Sequence, residues 1–299
     1  MKCFACDNRL RRNVRRRRKG FVLLLTLVLL AIVALLSVGI ARRSLSMAEQ
    51  AVSAEEDLQR RWAVLSCQRS VLLRAERIFQ RRDELADQEK ATARNVYRIA
   101  AKVQLGKMTL LLILADENAK VNLNVLAQQG AGEVLTFLRK LSAEAGFRVC
   151  LHPDLRKADA KTLAAFDSWG QVFALDEMRD ADAPKNLAAL TNELTCWGGG
   201  QLNVRRASDR AIERVCQKEV SPIVVKRLLE VRAAGAKTPL AAMLGQLSAT
   251  EKDQSRLQEL VTDKSQCYSL WGVTSPTKNG SAWLCIAPSD SEPVFSFLW

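Results

Sequence analysis

The chain has 299 residues, 48% of them apolar, and 45 Lys and Arg against 32 Asp and Glu give a formal net charge of +13. That length can bury the core of one large domain or two small ones. The charge does not describe an evenly basic nucleic-acid-binding surface. Much of it lies in the first twenty residues, where Lys2, Arg9, Arg11, Arg12, Arg15, Arg16, Arg17, Arg18 and Lys19 stand against Asp7. One histidine, His152 in Leu151-His152-Pro153-Asp154, would have to serve any Ser-His-Asp or Cys-His chemistry, and no G-x-S-x-G elbow is present. The residues therefore point away from histidine-dependent nucleophilic catalysis.

Phe21 to Ile40 is an unbroken apolar run whose only polar side chains are Thr26 and Ser37. At a rise of about 1.5 Å per residue, such a run spans roughly 30 Å of hydrocarbon. Both hydroxyls are expected to bond back to the preceding turn of their own helix. The basic block before the run places the N-terminus in the cytoplasm by the positive-inside rule, although Arg42 and Arg43 follow the span. A secretory signal peptide cut at Gly39-Ile40-Ala41 is the alternative. The apolar run is longer than an ordinary h-region of about 7–15 residues, and that cut would leave two arginines at the new terminus.

Beyond the span no glycine occurs before Gly106 and no proline before Pro153, so the helix is expected to continue. Leu58, Leu65, Leu72 and Phe79 recur at seven-residue spacing with Trp62 beside them, and Arg60, Arg61, Arg69, Arg74 and Arg81 mark a polar side. The apolar stripe is expected to pack along the protein's own sheet, with a coiled coil as the alternative. Near Gly106 the period changes, and Val103–Leu105 with Met108–Leu114 reads as a β-hairpin. Residues 125 to 260 read as helical. Asp209–Lys218 and Pro222–Ala234 form a helix pair whose turn, Lys218-Glu219-Val220-Ser221-Pro222, lacks the glycine of phosphate-binding hairpins. The chain closes with strands at Cys267–Val273, Ser281–Ala287 and Pro293–Trp299, the first two joined by a turn ending in Asn279-Gly280.

Lys19-Gly20-Phe21, a basic stretch ending in glycine just before the apolar run, resembles the site at which prepilin peptidase cuts type IV pilins and type II secretion pseudopilins. The resemblance makes Gly20 and Phe21 the processing site and Phe21 the first mature, methylated residue. Leu25 then stands at the fifth mature position, where most pilins carry Glu, and the K-type minor pseudopilin typically lacks that acid. Asp116-Glu117 followed by Val121-Asn122-Leu123-Asn124 is similar to a signature of that family, general secretion pathway protein K. Asn203-Val204-Arg205-Arg206-Ala207 resembles the family's second signature, with arginines where it usually has Asn and Thr.

The resemblance implies an α+β, pilin-like fold with a long N-terminal helix on a small antiparallel sheet. Its divisions are a leader at 1–20, a membrane helix at 21–40, periplasmic helix and first strands at 41–124, an inserted helical subdomain at 125–260 and closing strands at 261–299. It further implies no enzymatic activity, a single-pass inner-membrane protein with a periplasmic domain, I- and J-like minor pseudopilins, the major pseudopilin and prepilin peptidase as partners, and calcium as a ligand of unnamed residues. No nucleic acid is expected. A type IV pilus minor pilin in DNA uptake or adhesion and a membrane-anchored periplasmic enzyme are the alternatives. Cys3 and Cys6 lie in the leader. The other six cysteines would face an oxidising compartment with fifteen possible pairings, and the expected bridges are Cys267 to Cys285 and Cys196 to Cys216.

Overall fold

The computed structural model describes residues 7–88, 97–105, 108–146, 150–156, 165–174, 177, 190–234, 238–275, 282–288 and 294–298. Backbone contacts divide the chain into two units, Met1–Ala63 and Val64–Trp299. The architecture is α+β, as the sequence leads one to expect.

Helix α1 runs from Asp7 to Ser70. From Phe21 to Ile40 every residue is exposed, with Leu25 at 50% and Ile40 at 70%. The helix is long and apolar enough to cross a membrane, with a mean hydropathy of 3.1 in its most apolar window. Its backbone polar groups are satisfied internally, the condition that hydrocarbon imposes. The two hydroxyls follow suit: Thr26 Oγ1 donates to Leu23 O and Ser37 Oγ to Val33 O, both at 2.8 Å.

In the Val64–Trp299 unit, α1 ends in a 3-10 turn at Leu72–Arg74 and continues as α2, Ala75–Gln88. A five-stranded antiparallel sheet follows the order β1-β2-β7-β8-β9, with β1 Arg98–Leu105, β2 Met108–Asp116, β7 Cys267–Ser275, β8 Ala282–Pro288 and β9 Val294–Leu298. The expected hairpin is therefore present, with Leu105 opposite Met108. Its two connecting residues and the 276–281 turn lie outside the described residues. The first two strands precede the helical segment and the last three follow it, so the sheet is completed only after the chain returns.

Register sorts the sheet's side chains onto two faces. Leu110, Leu112, Leu114 and Asp116 of β2 align with Thr274, Gly272, Leu270 and Tyr268 of β7. Gly272, Leu270 and Tyr268 align in turn with Trp283, Cys285 and Ala287 of β8. This face receives the helix: Phe79 of α2 stacks on Tyr268 at 5.7 Å, and the Tyr268 hydroxyl donates to Glu76. Leu110, Leu112, Leu114, Leu270, Cys285, Leu72 and Phe79 are all buried here. Each such leucine stabilises the unit by about 1.5–3 kcal/mol through burial. The opposite face carries Cys267, Leu284 and Ile286 into a larger core shared with the helical segment, where Trp169, Phe173, Leu138, Leu194, Ile212 and Leu228 are buried.

The seven-residue stripe holds only in part. Leu72 and Phe79 are buried, but Leu58 is 56%, Trp62 62% and Leu65 38% exposed, and Val64, Cys67 and Ala75 take buried places instead. A seven-residue repeat drifts by about 20° per heptad on a straight helix. The 3-10 turn resets the phase as well, so residues 58 to 79 do not share one face.

The Trp283 indole lies over Gly272, where a Cβ would fall inside the ring's van der Waals envelope. Gly272→Ala is accordingly expected to cost about 3 kcal/mol by overpacking, read as a lower urea midpoint. Gly245→Ala, with open space around its Cβ, is the matched control.

The helical segment comprises β3 (Val121–Asn122), α3 (Leu123–Gln128), α4 (Ala131–Ala145), α5 (Pro153–Arg156), α6 (Trp169–Val172), β4 (Leu194–Thr195), β5 (Leu202–Asn203), α7 (Asp209–Cys216), α8 (Pro222–Ala234), α9 (Leu240–Gly245), α10 (Glu251–Leu260) and β6 (Val261–Thr262). Two short parallel ladders, β3 with β4 and β5 with β6, tie its departing and its returning ends to the stretch at 194–203 in its middle. The boundaries expected at 124/125 and 260/261 fall inside the one Val64–Trp299 unit.

Candidate functional site

The signature residues gather where the chain leaves the sheet and where it returns. Asp116, fully buried at the end of β2, caps the 3-10 turn Glu117–Ala119 by accepting the Asn118 N–H on Oδ1 at 3.0 Å. Its Oδ2 accepts from Arg206 Nη1 at 3.2 Å, Asn203 Nδ2 at 3.4 Å and the Ser265 hydroxyl. Burial pushes this carboxyl above the ordinary range, while Ser265, Arg206 and the Asn118 amide pull it back.

Arg206 is the cation of this cluster, with a side chain only 6% exposed. Its Nε and Nη2 donate to Asp83 Oδ2 at 3.2 and 2.9 Å, and Glu76 Oε2 lies 3.6 Å from Nη1. The guanidinium sits 4.8 Å from the centroid of the Phe79 ring. Burial alone would lower its pKa, but Asp83 and Asp116 more than reverse this and hold the guanidinium above its usual value.

Next to it is a second ion pair of a different kind. Glu117 Oε1 accepts Lys120 Nζ at 2.6 Å and the Ser269 hydroxyl, with side-chain exposures of 1% for Glu117 and 3% for Lys120. Among the described residues the other oxygen, Oε2, has no hydrogen-bond partner.

The asparagines staple distant segments together. Asn118 Nδ2 donates to Gln201 O at 3.1 Å, and its Oδ1 accepts the Gln266 N–H at 2.9 Å. Asn122 caps α3 by accepting the Asn124 N–H at 2.8 Å and donates to Trp197 O at 3.0 Å. Asn124 donates to Cys196 O at 2.7 Å and to Phe166 O at 3.1 Å, and accepts the Phe166 N–H at 2.6 Å. Asn203 donates to Ser265 Oγ at 2.7 Å and accepts the Arg205 N–H at 3.0 Å. The glycine turn beside them needs a positive φ at Gly198 (92°) and Gly200 (83°), and a Cβ on Gly200 would lie 2.8 Å from Val125 Cγ2. The Asn-rich motif is thus a set of backbone clamps between the sheet and its helical insertion. Motif reading found Asp116, Glu117, Asn122, Asn124 and Asn203. It did not find Arg206, Ser265 or Ser269, whose partners are remote in sequence; the arginine standing in place of a polar neutral residue was the one legible trace, whereas Lys120 lies inside the motif, three residues from its partner Glu117.

The groove between α4 and α7 holds a cavity of about 250 Å³ lined by Lys120, Asn122, Phe137, Lys140, Arg214 and Lys218 among others. Its one carboxylate, Glu133, is held by Lys218. His152 is away from this cavity's lining, partly exposed, with Asp154 Oδ2 3.6 Å from its Nδ1. Among the described residues no group of three or more His, Cys, Asp or Glu side chains could hold a metal ion. In the turn between α7 and α8 the backbone amides are occupied: Glu219 and Val220 donate to Cys216 O, and Ser221 donates to Asp253 Oδ1. No nest of free amides faces outward there for a phosphate.

The expected disulfides are not formed. Cys67, Cys150, Cys196, Cys216, Cys267 and Cys285 are all free. Cys285 stands opposite Leu270, whereas Cys267 stands opposite Pro288, which puts the two thiols on different strands and opposite faces of the sheet. Cys196 and Cys216 are each packed among apolar side chains of the larger core. Cys3 and Cys6 lie outside the described residues. Burial pushes Cys216 and Cys285 up to about 12 and raises Cys196 and Cys267 as well. A thiol whose folded pKa exceeds its unfolded value contributes stability that is complete below the unfolded value and is lost as pH rises toward the folded one. The reduced protein is therefore expected to lose about 1–2 kcal/mol per buried thiol by pH 10, above an unfolded pKa near 8.5. Urea titrations at pH 7 and 10 measure this loss, and Cys216→Ala should shrink the difference.

No protein-family model matches the sequence, and no curated protein matches it. Among solved structures, the chain is similar to one in the complex of GspK, GspI and GspJ from the type 2 secretion system of enterotoxigenic Escherichia coli. That match has 13% identity, covers 77% of this chain and 99% of the other, and has a TM-score of 0.39.

Proposed function

We propose that the chain is a K-type minor pseudopilin of a type II secretion system, anchored by Phe21–Ile40 with its main part in the periplasm. The observation that carries this reading is a conjunction in one chain. A basic stretch ending in Gly20 meets an apolar helix exposed along its whole length, and the antiparallel sheet is interrupted, at the Asp116–Asn124 signature, by a helical insertion before it is completed. In this reading prepilin peptidase cuts after Gly20, and the apolar helix leaves the bilayer to pack against equivalent helices of I- and J-like partners and the major pseudopilin. The helical segment of 125–260 broadens the tip and limits growth beyond it. The role is mechanical, and the clamped cluster at Asp116, Glu117, Asn122, Asn124 and Asn203 keeps that segment rigid on the sheet.

The test is the N-terminus of the protein recovered from membranes. Edman or mass-spectrometric sequencing is expected to begin at an N-methylated Phe21. Gly20→Val should leave the precursor uncut and stop export of type II substrates. A mature protein beginning at Arg42 or Met1 would overturn the assignment.

A further inference from the structure

Five buried cysteines of the Val64–Trp299 unit are distributed between two cores separated by the sheet, and the sixth, Cys150, is half-buried. Cys196, Cys216 and Cys267 belong to the larger core shared with the helical segment. Cys67 and Cys285 are buried outside it, at 4% and 0% exposure. Cys285 lies on the sheet face that also carries Leu270, Gly272, Trp283 and Tyr268, and Tyr268 is the residue on which Phe79 stacks. Cys67 lies in the last turn of α1, where its carbonyl accepts the Val71 N–H at 2.8 Å. The Leu72–Arg74 turn that follows rests against β7 and β8. The two cysteines therefore belong to one small core on the helix side of the sheet, with the sheet between them and the cysteines of the larger core.

We propose that Cys67 and Cys285, both free thiols in this structure, form on oxidation a disulfide that fastens the end of α1 to β8. The proposal goes beyond the pseudopilin reading and needs no assumption about compartment. With oxidised glutathione as the oxidant, the Cys67 thiolate attacks glutathione disulfide, forming a mixed disulfide and releasing one glutathione. The Cys285 thiolate then attacks the Cys67 sulfur, forming the protein S–S bond and releasing the second glutathione. The two electrons lost by the cysteines reduce the oxidant, and the two thiol protons end on the glutathione released. Burial raises both thiols, with Cys67 adding to the rise at Cys285, so both are protonated once packed. The bond accordingly forms while the chain folds, before the helix end closes over β8.

The experiment refolds the full chain in detergent with reduced and oxidised glutathione, caps free thiols with N-ethylmaleimide and maps tryptic peptides without reduction. The expected product links residues 62–69 to residues 279–299, the peptides that carry Cys67 and Cys285, and dithiothreitol separates them. Closing so long a loop should raise the thermal midpoint by about 5–15 °C over the reduced form. Cys67→Ser and Cys285→Ala should each abolish the link and the reduction-sensitive part of the midpoint. N-ethylmaleimide on both Cys67 and Cys285 after refolding, a bond from either to another cysteine, or an unchanged reduction-sensitive shift in both variants would overturn the proposal.

Discussion

Lys120→Met is expected to lower the stability of the Val64–Trp299 unit by about 3–5 kcal/mol, read as a fall in the urea midpoint followed by tryptophan fluorescence. The corresponding thermal midpoint falls by roughly 6–20 °C at about 2–4 °C per kcal/mol for a unit of this size. The cause is not the loss of an attraction as such. Methionine fills the space of the lysine stem, but it leaves the Glu117 carboxylate inside the protein with the Ser269 hydroxyl on one oxygen and, among the described residues, no hydrogen-bond partner on the other. An uncompensated charge in that position is far more costly than the original pair was favourable. The double variant Glu117→Gln with Lys120→Met removes both charges and is expected to recover more than half of the loss, because a neutral amide needs no counter-ion. A double variant no better than Lys120→Met alone would show that packing, not charge, sets the cost.

Arg206→Met should destabilise by a similar amount, about 3–5 kcal/mol, and the conservative Arg206→Lys is expected to restore no more than half of it. An ammonium is a point charge. It cannot donate to Asp83 from two nitrogens and to Asp116 from a third while sitting over the Phe79 ring. The pH dependence carries the diagnostic sign. Asp116 is already raised by burial with Arg206 opposing the rise, so removing the guanidinium raises it further. A carboxyl with a raised folded pKa favours the folded state below its unfolded value near 4 and loses that advantage as pH increases. The deficit of Arg206→Met relative to the wild type should consequently shrink between pH 7 and pH 4. A deficit that is constant over that range would assign the role of Arg206 to packing.

Much of the architecture was legible in the residues. The uninterrupted apolar run, the absence of glycine and proline beyond it, and the change from helical to alternating period near Gly106 are local patterns, and each corresponds to an element seen here: α1, α2 and the β1–β2 hairpin. The asparagines of the signature were legible as a motif, and one of them, Asn122, caps α3. What they clamp was not legible. The partners of Asn118 and Asn124 include Gln201, Gln266, Phe166 and Cys196, which no spacing rule connects to them.

The cysteine pairing shows why local reasoning stops where it does. Cys267 and Cys285 look like natural partners across a hairpin, but a strand's side chains alternate faces, and the register between β7 and β8 puts the two thiols on opposite sides. Register depends on where a hairpin turns, and a shift of one residue would have changed the answer. In the same way the stripe from Leu58 to Phe79 is a correct sign of a helix and a poor guide to its buried face, because the 3-10 turn at Leu72–Arg74 rotates the chain between the two halves.

The sequence by itself determined the elements whose causes lie within a few residues: a helix from unbroken apolar and charged residues, strands from alternation, and the local caps that Asp116 and Asn122 supply. Only the tertiary structure decided which charges are buried together, which thiols share a core and which end of the stripe is covered. Those outcomes are set by contacts between segments some eighty to one hundred and fifty residues apart, as when Arg206 meets Asp116 and Ser269 meets Glu117. Their free energy comes from desolvation and burial, quantities that belong to the assembled fold and not to any stretch of chain.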